Sequence, residues 1–562
     1  MIVFHENKWA QIFVLKEPIR QVLPIFFKKS NPSMKIKNLA LSALLIAGSL
    51  SLSAQGPTEN WHHLDMEKDG VQGMSTIKAY EELLKGKKST TVVVAVIDSG
   101  IEEVHDDLKN VMWVNEGEIP GNGIDDDKNG YIDDIHGWNF IGGAKGEINQ
   151  DNLEITRLYR MYMKKYEGKS ADDVSKKDKA DFERYQGIKT AWQESVDNAA
   201  PLRARYSEML RVTNLVIEKL DGSEQNTENI NGLGISGEGV EQTLSIIVRN
   251  VEAGRKLEDL AGSLQGGVDY FSGQLDYYYN VDFDPRNIIG DDYSNAKETR
   301  YGNNTYEGPD ASHGTHVGGI IGAERGNGVG MDGVADNVRI MTIRAVPDGD
   351  ERDKDVAAAI RYAVDNGASV INMSFGKAYS WNKDIVNKAV KYAMKKDVLL
   401  VHAAGNSNQD NDTTDNFPND SYKKNPAKKA SNWLEIGALD WKGETNAPAR
   451  FSNYGKNNVD VFAPGVDIYA TWPDNGYNAI SGTSMASPAC AGVAAALRSY
   501  FPALSAADVR EIIMESSTKL DWDVLLPGQE EGGKTVPFSE LSVSGGTVNM
   551  YNAVKMAMAR TK

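Results

Sequence analysis

Two hydrophobic patterns alternate along this chain. In the first, short runs are almost entirely apolar and rich in β-branched residues; they lie at 91–97, 338–343, 369–373, 398–402 and 433–438. In the second, apolar residues recur at helical spacing, as in 355–366 and 382–396. Continuous apolar runs are typical of strands buried on both faces, and strands that alternate with helices form parallel sheets. The sequence therefore predicts an α/β fold, a three-layer parallel sheet with helices on both faces.

A long segment, 150–290, interrupts this alternation. Its apolar residues follow helical spacing among many charges: Ile155, Tyr159, Tyr162 and Tyr166, then Leu202, Tyr206 and Met209. We predict a mainly helical insertion here, which divides the core domain into 55–149 and 291–562. Two roles are open for the insertion: a stabilising appendage, or a lid or arm that binds a protein partner.

The beginning of the chain has the layout of an export signal. From Met34, two lysines lead into an apolar stretch at 39–50, which small residues follow. This order is typical of a secretory signal peptide, and the stretch is too short to span a bilayer. We assign 1–54 to an N-terminal extension and signal peptide whose true start is Met34, and we expect no transmembrane anchor. The protein would be exported to the periplasm, the cell surface or the medium; an anchor built on 12–15 and 23–27 is the alternative.

Charge and cysteine content narrow the choice of partners. The formal charge is −18, and removal of the first 55 residues, which carry seven Lys or Arg and two Asp or Glu, takes it to −23. A strongly acidic protein repels nucleic acid and anionic membranes and attracts cations. We therefore expect no nucleic-acid partner. Cys490 is the only cysteine in the sequence, so no intramolecular disulfide can form, and we expect a buried thiol.

Three polar residues stand where an activated serine needs them. Asp98 ends the first strand and precedes a turn signal, which puts its carboxylate at the carboxyl edge of the sheet. His313 opens a glycine-rich helix, and Ser484 lies at another helix start, where unpaired backbone N–H groups favour an oxyanion. Together they suit an orienting acid, a base and a nucleophile. Zinc is the rival explanation for His313 and His316, but no Glu lies between them and no further Cys or His cluster appears.

Three segments carry a resemblance to a known family. The run from Gly482 to Pro488, the segment from His313 to His316 and the strand that ends at Asp98 resemble the subtilisin-like serine proteases, or subtilases. The resemblance extends over about 91–140 and 300–555. It implies a subtilisin-like fold and the hydrolysis of peptide bonds. The long segment between the acid and the base departs from the family pattern.

The resemblance also implies roles for single residues. Ser484 corresponds to the nucleophile, His313 to the base and Asp98 to the acid that orients it. Asn406, which follows a buried strand and a glycine, corresponds to the side-chain donor of the oxyanion hole. The implied reaction proceeds through an acyl-enzyme on Ser484.

Two more segments match the substrate cleft of subtilisins. They comprise Ser374, Phe375 and Gly376 beside the primary pocket, and Ala345 and Val346 on the opposite wall. Asp348, Asp350 and Glu351 follow on that second wall and make it acidic. We therefore expect a mild preference for basic residues upstream of the cleaved bond.

Calcium is the cofactor that the sequence favours. Side-chain oxygens stand at alternate positions around a glycine in one acidic loop, at Asp125, Asp127, Asn129 and Asp133. His136 occupies the place of the bidentate Glu of an EF-hand, so the loop is not that motif, and a solvated acidic turn is the alternative. By resemblance to subtilisins, Asp107 and Asn327 match a second, structural calcium site.

These features predict an exported serine endopeptidase whose partners are polypeptide substrates. A protein of another class is the alternative: a binding or scaffold protein on a subtilisin-like shell, which works through the insertion.

Overall fold

The apolar run predicted at 91–97 becomes an interior strand of a nine-stranded sheet. This strand, Val92–Asp98, pairs in parallel with Val338–Arg344 on one side and with Val370–Met373 on the other. Its register sets Val94 level with Ile340. β-Branched residues suit this position because they pack well on a pleated surface that is covered on both faces.

The structure is a computed structural model that describes residues 56–561 except 238, 423 and 424. From Asn60 onward the chain forms one compact unit. The extension and signal peptide predicted for 1–54 lie outside the described residues. No helix of the described part is both long enough and apolar enough to cross a membrane.

The strands are β1 (Val92–Asp98), β2 (Gly137–Asn139), β3 (Gly142–Gly143), β4 (Gly146–Glu147), β5 (Val338–Arg344), β6 (Val370–Met373), β7 (Leu399–Ala403), β8 (Ser421–Tyr422), β9 (Asn425–Lys429), β10 (Trp433–Leu439), β11 (Val461–Pro464), β12 (Ile468–Trp472), β13 (Gly476–Ile480), β14 (Thr518–Lys519), β15 (Asp523–Leu525), β16 (Thr535–Pro537) and β17 (Gly546–Thr547). The main sheet has the order β14-β17-β11-β10-β7-β6-β1-β5-β2, and only β14 and β17 pair antiparallel. The chain passes from β1 to β5 on one side and then returns to β6 on the other. In such sheets, ligands bind at the carboxyl ends of the strands where the winding reverses, and here that point is the end of β1.

The α-helices are α1 (Met66–Asp69), α2 (Thr76–Ala79), α3 (Glu154–Tyr166), α4 (Lys179–Leu220), α5 (Thr227–Gly232), α6 (Val240–Glu252), α7 (Leu257–Gly273), α8 (Ser312–Gly322), α9 (Asp353–Asp365), α10 (Lys383–Lys395), α11 (Thr483–Tyr500), α12 (Ala506–Glu515) and α13 (Met550–Arg560). Alternate residues of β1 belong to two separate cores. Val94 and Val96 pack in one core with α8, α11, α12 and α13, whereas Ala95 and Ile97 pack in the other with α9 and α10. Helices thus cover both faces of the sheet, and the predicted three-layer fold is confirmed.

The insertion is helical and has two small cores of its own. The inner core, which includes Tyr159 of α3 and Tyr185 of α4, packs against Trp381 of the sheet domain. The outer core joins the second half of α4 to α6 and α7. Of the predicted stripe residues, Leu202 departs from the pattern because it is 37% exposed. The boundaries 150–290 stay a prediction.

Element bounds differ from the sequence pattern by small shifts. The strand predicted at 398–402 is Leu399–Ala403, and the helix predicted at 355–366 is Asp353–Asp365. The short strands β2, β14 and β17 were not predicted, since two or three residues are too few to show a period.

Candidate active site

The side chains of Asp98 and His313 meet at the end of β1. Asp98 is the last residue of β1, and His313 is the second residue of α8. His313 Nδ1 donates a hydrogen bond of 2.7 Å to Asp98 Oδ1, which also accepts one from the Ser99 amide. The helix reaches this position because Gly314 has no side chain: a Cβ there would lie 2.0 Å from the Gly100 carbonyl oxygen.

The carboxylate of Asp98 controls the charge of His313. Asp98 is only 2% exposed, whereas 37% of the His313 side chain is exposed. Burial alone would lower the pKa of His313, but the charge of Asp98 and its hydrogen bond outweigh burial and raise that pKa. Because Nδ1 is engaged by Asp98, Nε2 is the nitrogen that can exchange a proton.

Ser484 lies in the first turn of α11, the helix that packs against α8. Its hydroxyl donates to the carbonyl oxygen of Ser374 at 3.1 Å, and the Ser374 hydroxyl donates to the Ser484 carbonyl oxygen at 2.8 Å. Within the described residues, no hydrogen bond joins Ser484 to His313. Hydrogen bonds of this kind are often loose until a substrate is bound, so the arrangement still suits a nucleophile and its base.

The amide of Asn406 is oriented by the residue before Ser484. Asn406 Oδ1 accepts hydrogen bonds from the Thr483 amide at 2.9 Å and from the Thr483 hydroxyl at 2.8 Å. Because these two contacts identify the oxygen of the amide, the other atom, Nδ2, is the N–H donor. A Cβ built on Gly482 would lie 3.5 Å from both Asn406 Nδ2 and the Ser484 backbone nitrogen. Two N–H groups therefore flank one point at the start of α11, as an oxyanion hole requires.

The predicted cleft residues adjoin these groups. Ser374 is buried against Ser484, Phe375 is half-buried against the ring of His402, and Gly376 is exposed. On the other side, the amides of Ala345 and Val346 donate to the Asp98 carbonyl oxygen at 3.0 and 3.2 Å. Both segments thus leave the sheet directly beside Asp98 and Ser484.

Comparison with known proteins identifies the family. A family model described as the subtilase family matches residues 89–536, which is more than half of the chain. The chain belongs to the subtilase family.

Three relatives of this subtilase show how far the likeness extends. It is 39% identical over 245 residues to a thermophilic serine proteinase of Bacillus sp. (strain AK1), covering 43% of this chain and 54% of that protein. It is 38% identical to a subtilisin of Bacillus sp. (strain TA39), over 35% of this chain and 49% of that protein. It is 36% identical to subtilisin DY of Bacillus licheniformis, over 37% of this chain and 71% of that protein. The chain thus spans about half the length of the first two curated relatives that it matches.

Only part of the expected acidic wall of the cleft is accessible in this subtilase, because Glu351 is buried while Asp348 is exposed. Glu351 is 2% exposed, and burial raises its pKa to about 8. The Asp350 carboxylate accepts a hydrogen bond of 2.7 Å from the amide of Glu154, in the insertion. Of the three acidic residues only Asp348 is exposed, and its carboxylate accepts a hydrogen bond from the Tyr278 hydroxyl. Residues of the insertion thus contact the carboxylates of Asp348 and Asp350, which the sequence alone did not reveal.

The acidic loop brings two of its predicted ligands, Asp125 and Asp127, close to a third carboxylate that the sequence did not predict, that of Glu118. Ligand oxygens of Glu118, Asp125 and Asp127 all lie within 4.8 Å of one another. Three carboxylates are the hard oxygen donors that suit calcium. Asn129 and Asp133 instead brace the loop: Asn129 Oδ1 accepts from the Tyr131 amide, and Asp133 accepts from two other amides. Glu118 precedes the Asp-rich run, and no spacing motif connects the two.

Asp107 and Asn327 also come together. Asn327 Nδ2 donates to Asp107 Oδ1 at 2.7 Å, while Met331 N and the Tyr477 hydroxyl donate to Oδ2 at 3.0 and 3.2 Å. The carboxylate is fully buried and is satisfied by these donors. Calcium binding at this pair stays a prediction.

His316 and Cys490 are buried and have no part in the candidate site. His316 Nε2 contacts the carbonyl oxygens of Ile468 and Asn478, and burial lowers the pKa of this histidine to about 3. His313 Nδ1 is engaged by Asp98 and His316 Nε2 by backbone carbonyl oxygens, so each ring has a hydrogen-bonding role that needs no metal. Burial also raises the pKa of the Cys490 thiol.

Replacement of Asp98 by asparagine should lower the pKa of His313. Asparagine keeps the shape of the acceptor but removes the charge that raises this pKa. We expect an NMR titration of the histidine to show a lower pKa in Asp98→Asn and a smaller decrease in Asp310→Asn, the control, since Asp310 contributes least.

The same pair sets a pH dependence of stability with a defined sign. Because the pKa of His313 is raised in the folded chain, the Asp98–His313 pair stabilises the fold below the unfolded-state pKa of about 6.5. This contribution is lost as the pH rises through the raised pKa. An unchanged histidine pKa in Asp98→Asn would contradict the assignment.

Proposed function

We propose that this subtilase is a serine endopeptidase that hydrolyses polypeptides through an acyl-enzyme on Ser484. The observation that carries the proposal is the 2.7 Å hydrogen bond from His313 to the buried Asp98, at the edge where Ser484 also lies. Relatives that are named serine proteinase and subtilisin support it.

Proton transfer in this mechanism runs between Ser484 and His313. The Ser484 hydroxyl turns from the Ser374 carbonyl to His313 Nε2, and the base takes its proton as the oxygen attacks the scissile carbonyl. Asp98 stabilises the imidazolium that forms. His313 then gives this proton to the leaving amine, and a water molecule, deprotonated by the same base, releases the acyl group and regenerates Ser484.

The developing oxyanion is held by two N–H groups. One is the Ser484 amide at the N-terminus of α11, where the helix dipole also favours negative charge. The other is Asn406 Nδ2, fixed by the contact of its oxygen with Thr483. The substrate chain would lie extended between the segment starting at Ser374 and the segment starting at Ala345, with its backbone paired to theirs.

We propose calcium as a structural cofactor, held by Glu118, Asp125 and Asp127. The support is the convergence of three carboxylates within 4.8 Å. Bound calcium would neutralise their mutual repulsion and stabilise the loop, and it takes no part in the hydrolysis.

Two further expectations stay proposals. Export is supported by the order of charged, apolar and small residues in 34–54. A protein partner for the insertion is the other, and it follows only from the many charged residues in 150–290.

Labelling of Ser484 by a fluorophosphonate tests the proposed activity. The intact protein should be labelled, and Ser484→Ala should not, because only an activated serine attacks this probe. Cleavage sites mapped on a peptide library would then define the substrate class. If the intact protein failed to react, the binding or scaffold alternative would be favoured.

Loss of the Asn406 donor should slow turnover with little effect on substrate binding. We expect Asn406→Leu to lower kcat by about 10²–10³. Thr483→Val is the matched control: it removes the hydroxyl contact to Asn406 but keeps the backbone contact and the donor, so its loss should be much smaller. Equal losses in the two variants would argue against Asn406 as an oxyanion donor.

Calcium should raise the thermal stability of the protein through the acidic loop. At a calcium concentration of 100 times Kd, binding at one site should raise the free energy of unfolding by about 2.7 kcal/mol. A rise in the thermal unfolding midpoint on addition of calcium would measure this effect. Glu118→Gln should abolish most of the shift. Asp126→Asn is the control and should retain the shift. The Asp126 carboxylate accepts hydrogen bonds from Ile119 and Asn122 and is not part of the three-carboxylate cluster. A shift that survives in Glu118→Gln would point to the Asp107–Asn327 pair instead.

A further inference from the structure

The two sides of the substrate cleft begin at the candidate catalytic groups. One side, segment 345–351, starts at Ala345, whose amide donates to the Asp98 carbonyl oxygen. The other, segment 374–376, starts at Ser374, whose carbonyl oxygen accepts from the Ser484 hydroxyl. These two cleft segments follow β5 and β6, the strands on either side of β1. Any element that fixes both segments fixes the width of the cleft beside Ser484.

The segment 149–157, which starts one residue before the predicted insertion and which we call the insertion root, lies against segment 345–351. The Asp348 amide donates to the Asn149 carbonyl oxygen at 2.8 Å, and the Asp151 amide donates to the Asp348 carbonyl oxygen at 2.9 Å. The approach is too close for a side chain: a Cβ on Gly349, which has a φ of 135°, would lie 2.3 Å from the Asp151 carbonyl oxygen. The root and this cleft segment thus run together as a short parallel bridge.

Buried charges hold the same contact. Arg352 donates two hydrogen bonds to the carboxylate of Asp151, at 2.6 and 2.8 Å. Arg157 pairs with Glu154 and donates to the carbonyl oxygens of Asp350 and Glu351 at 2.9 and 3.1 Å. One guanidinium therefore fixes the backbone of segment 345–351 at two consecutive residues.

Lys377 extends this network to the other cleft segment. Its ammonium group lies 3.3 Å from Glu154 of the root and 2.9 Å from Asp353, and it donates to the Glu351 carbonyl oxygen at 2.6 Å. Lys377 is the residue directly after Gly376. A single side chain thus connects both cleft segments to the insertion root.

The network is balanced in charge and shielded from water. Its acidic members, Asp151, Glu154 and Asp353, and its basic members, Arg157, Arg352 and Lys377, are each at most 7% exposed. Buried ion pairs contribute little net stability compared with apolar packing, but removal of one partner leaves an unpaired buried charge. Their directional hydrogen bonds fix geometry, which suits a positioning role.

We infer that the insertion root is a positioning element of the substrate cleft, in which Glu154 and Lys377 set the spacing of the two cleft segments. The inference rests on the proposed endopeptidase function. Glu154 and Lys377 contact none of Asp98, His313 and Ser484, so they act through the backbone that would pair with the substrate.

Three variants separate positioning from stability. Glu154→Gln removes one carboxylate and leaves a net positive charge in the buried network, although Lys377 still pairs with Asp353. Glu154→Gln with Lys377→Met restores the net charge but not the connection between the segments, and Asp353 keeps its hydrogen bonds from Ser380 and Asn382. Asp291→Asn is the control: it removes a carboxylate from a buried pair with Arg286, at 2.7 Å, and from Lys354, and it touches neither cleft segment. Each protein is compared in its rate of fluorophosphonate labelling, its thermal midpoint, and its kcat and KM on an extended peptide and on a single-residue ester.

We expect Glu154→Gln and the double variant to raise KM for the extended peptide about tenfold. The reason is that a shift of about 1 Å in a cleft segment would weaken its backbone pairing with the substrate. Labelling and the ester reaction should stay near those of the parent protein. The double variant should regain part of the thermal stability of the parent protein but not its KM, because Asp353 has lost Lys377 as a partner. Asp291→Asn should lose stability without a rise in KM. A KM that returns to the parent value in the double variant would overturn this inference but not the proposed function. An equal rise of KM in Asp291→Asn would do the same. Failure of the parent protein to be labelled would overturn the proposed function, and the inference with it.

Discussion

One geometric constraint organises this molecule: parallel strands all end at the same edge of their sheet. Asp98 ends β1, Ser374 follows β6 and Asn406 follows β7, so three strand ends bring their side chains to one line. Helices α8 and α11 start at the same edge and carry His313 and Ser484. The packing of the sheet between its two helical layers therefore fixes the positions of all the candidate catalytic groups.

The fold was predictable because each main strand and helix has its own hydrophobic pattern, which extends over several consecutive residues. Only a strand buried on both faces needs an unbroken apolar run, and β1 places Val94 and Val96 in one core and Ala95 and Ile97 in the other. The insertion was visible for a similar reason, since stripes such as that of α3 mark one buried face of a helix. Strands of two or three residues carry no such signal, because their pairing depends on neighbours distant in sequence.

The candidate site was predictable where each residue marks the end of an element. Asp98, His313, Ser484 and Asn406 all stand at a strand end or a helix start, and the sequence shows these boundaries. Glu118 has no such position, and it joins Asp125 and Asp127 only through the fold of the loop. Residues that meet through tertiary folding alone leave no pattern in the chain.

Charge shows the limit of sequence reasoning most clearly. Composition counts Glu351 and Lys377 as charges that solvent could reach, yet one is 2% and the other 4% exposed. A buried charge persists only with a partner or by a change of protonation, and both occur here: Lys377 pairs with Asp353, while burial raises the pKa of Glu351 to about 8. The insertion contributes to this network through Glu154, which contacts Lys377, and Arg157, which donates to the Glu351 carbonyl oxygen. In the proposed endopeptidase, Phe375, Gly376 and Asp348 would be more accessible to a substrate than Glu351. The side-chain preference would then depend on which charges the fold leaves exposed and not on the charges that the composition counts.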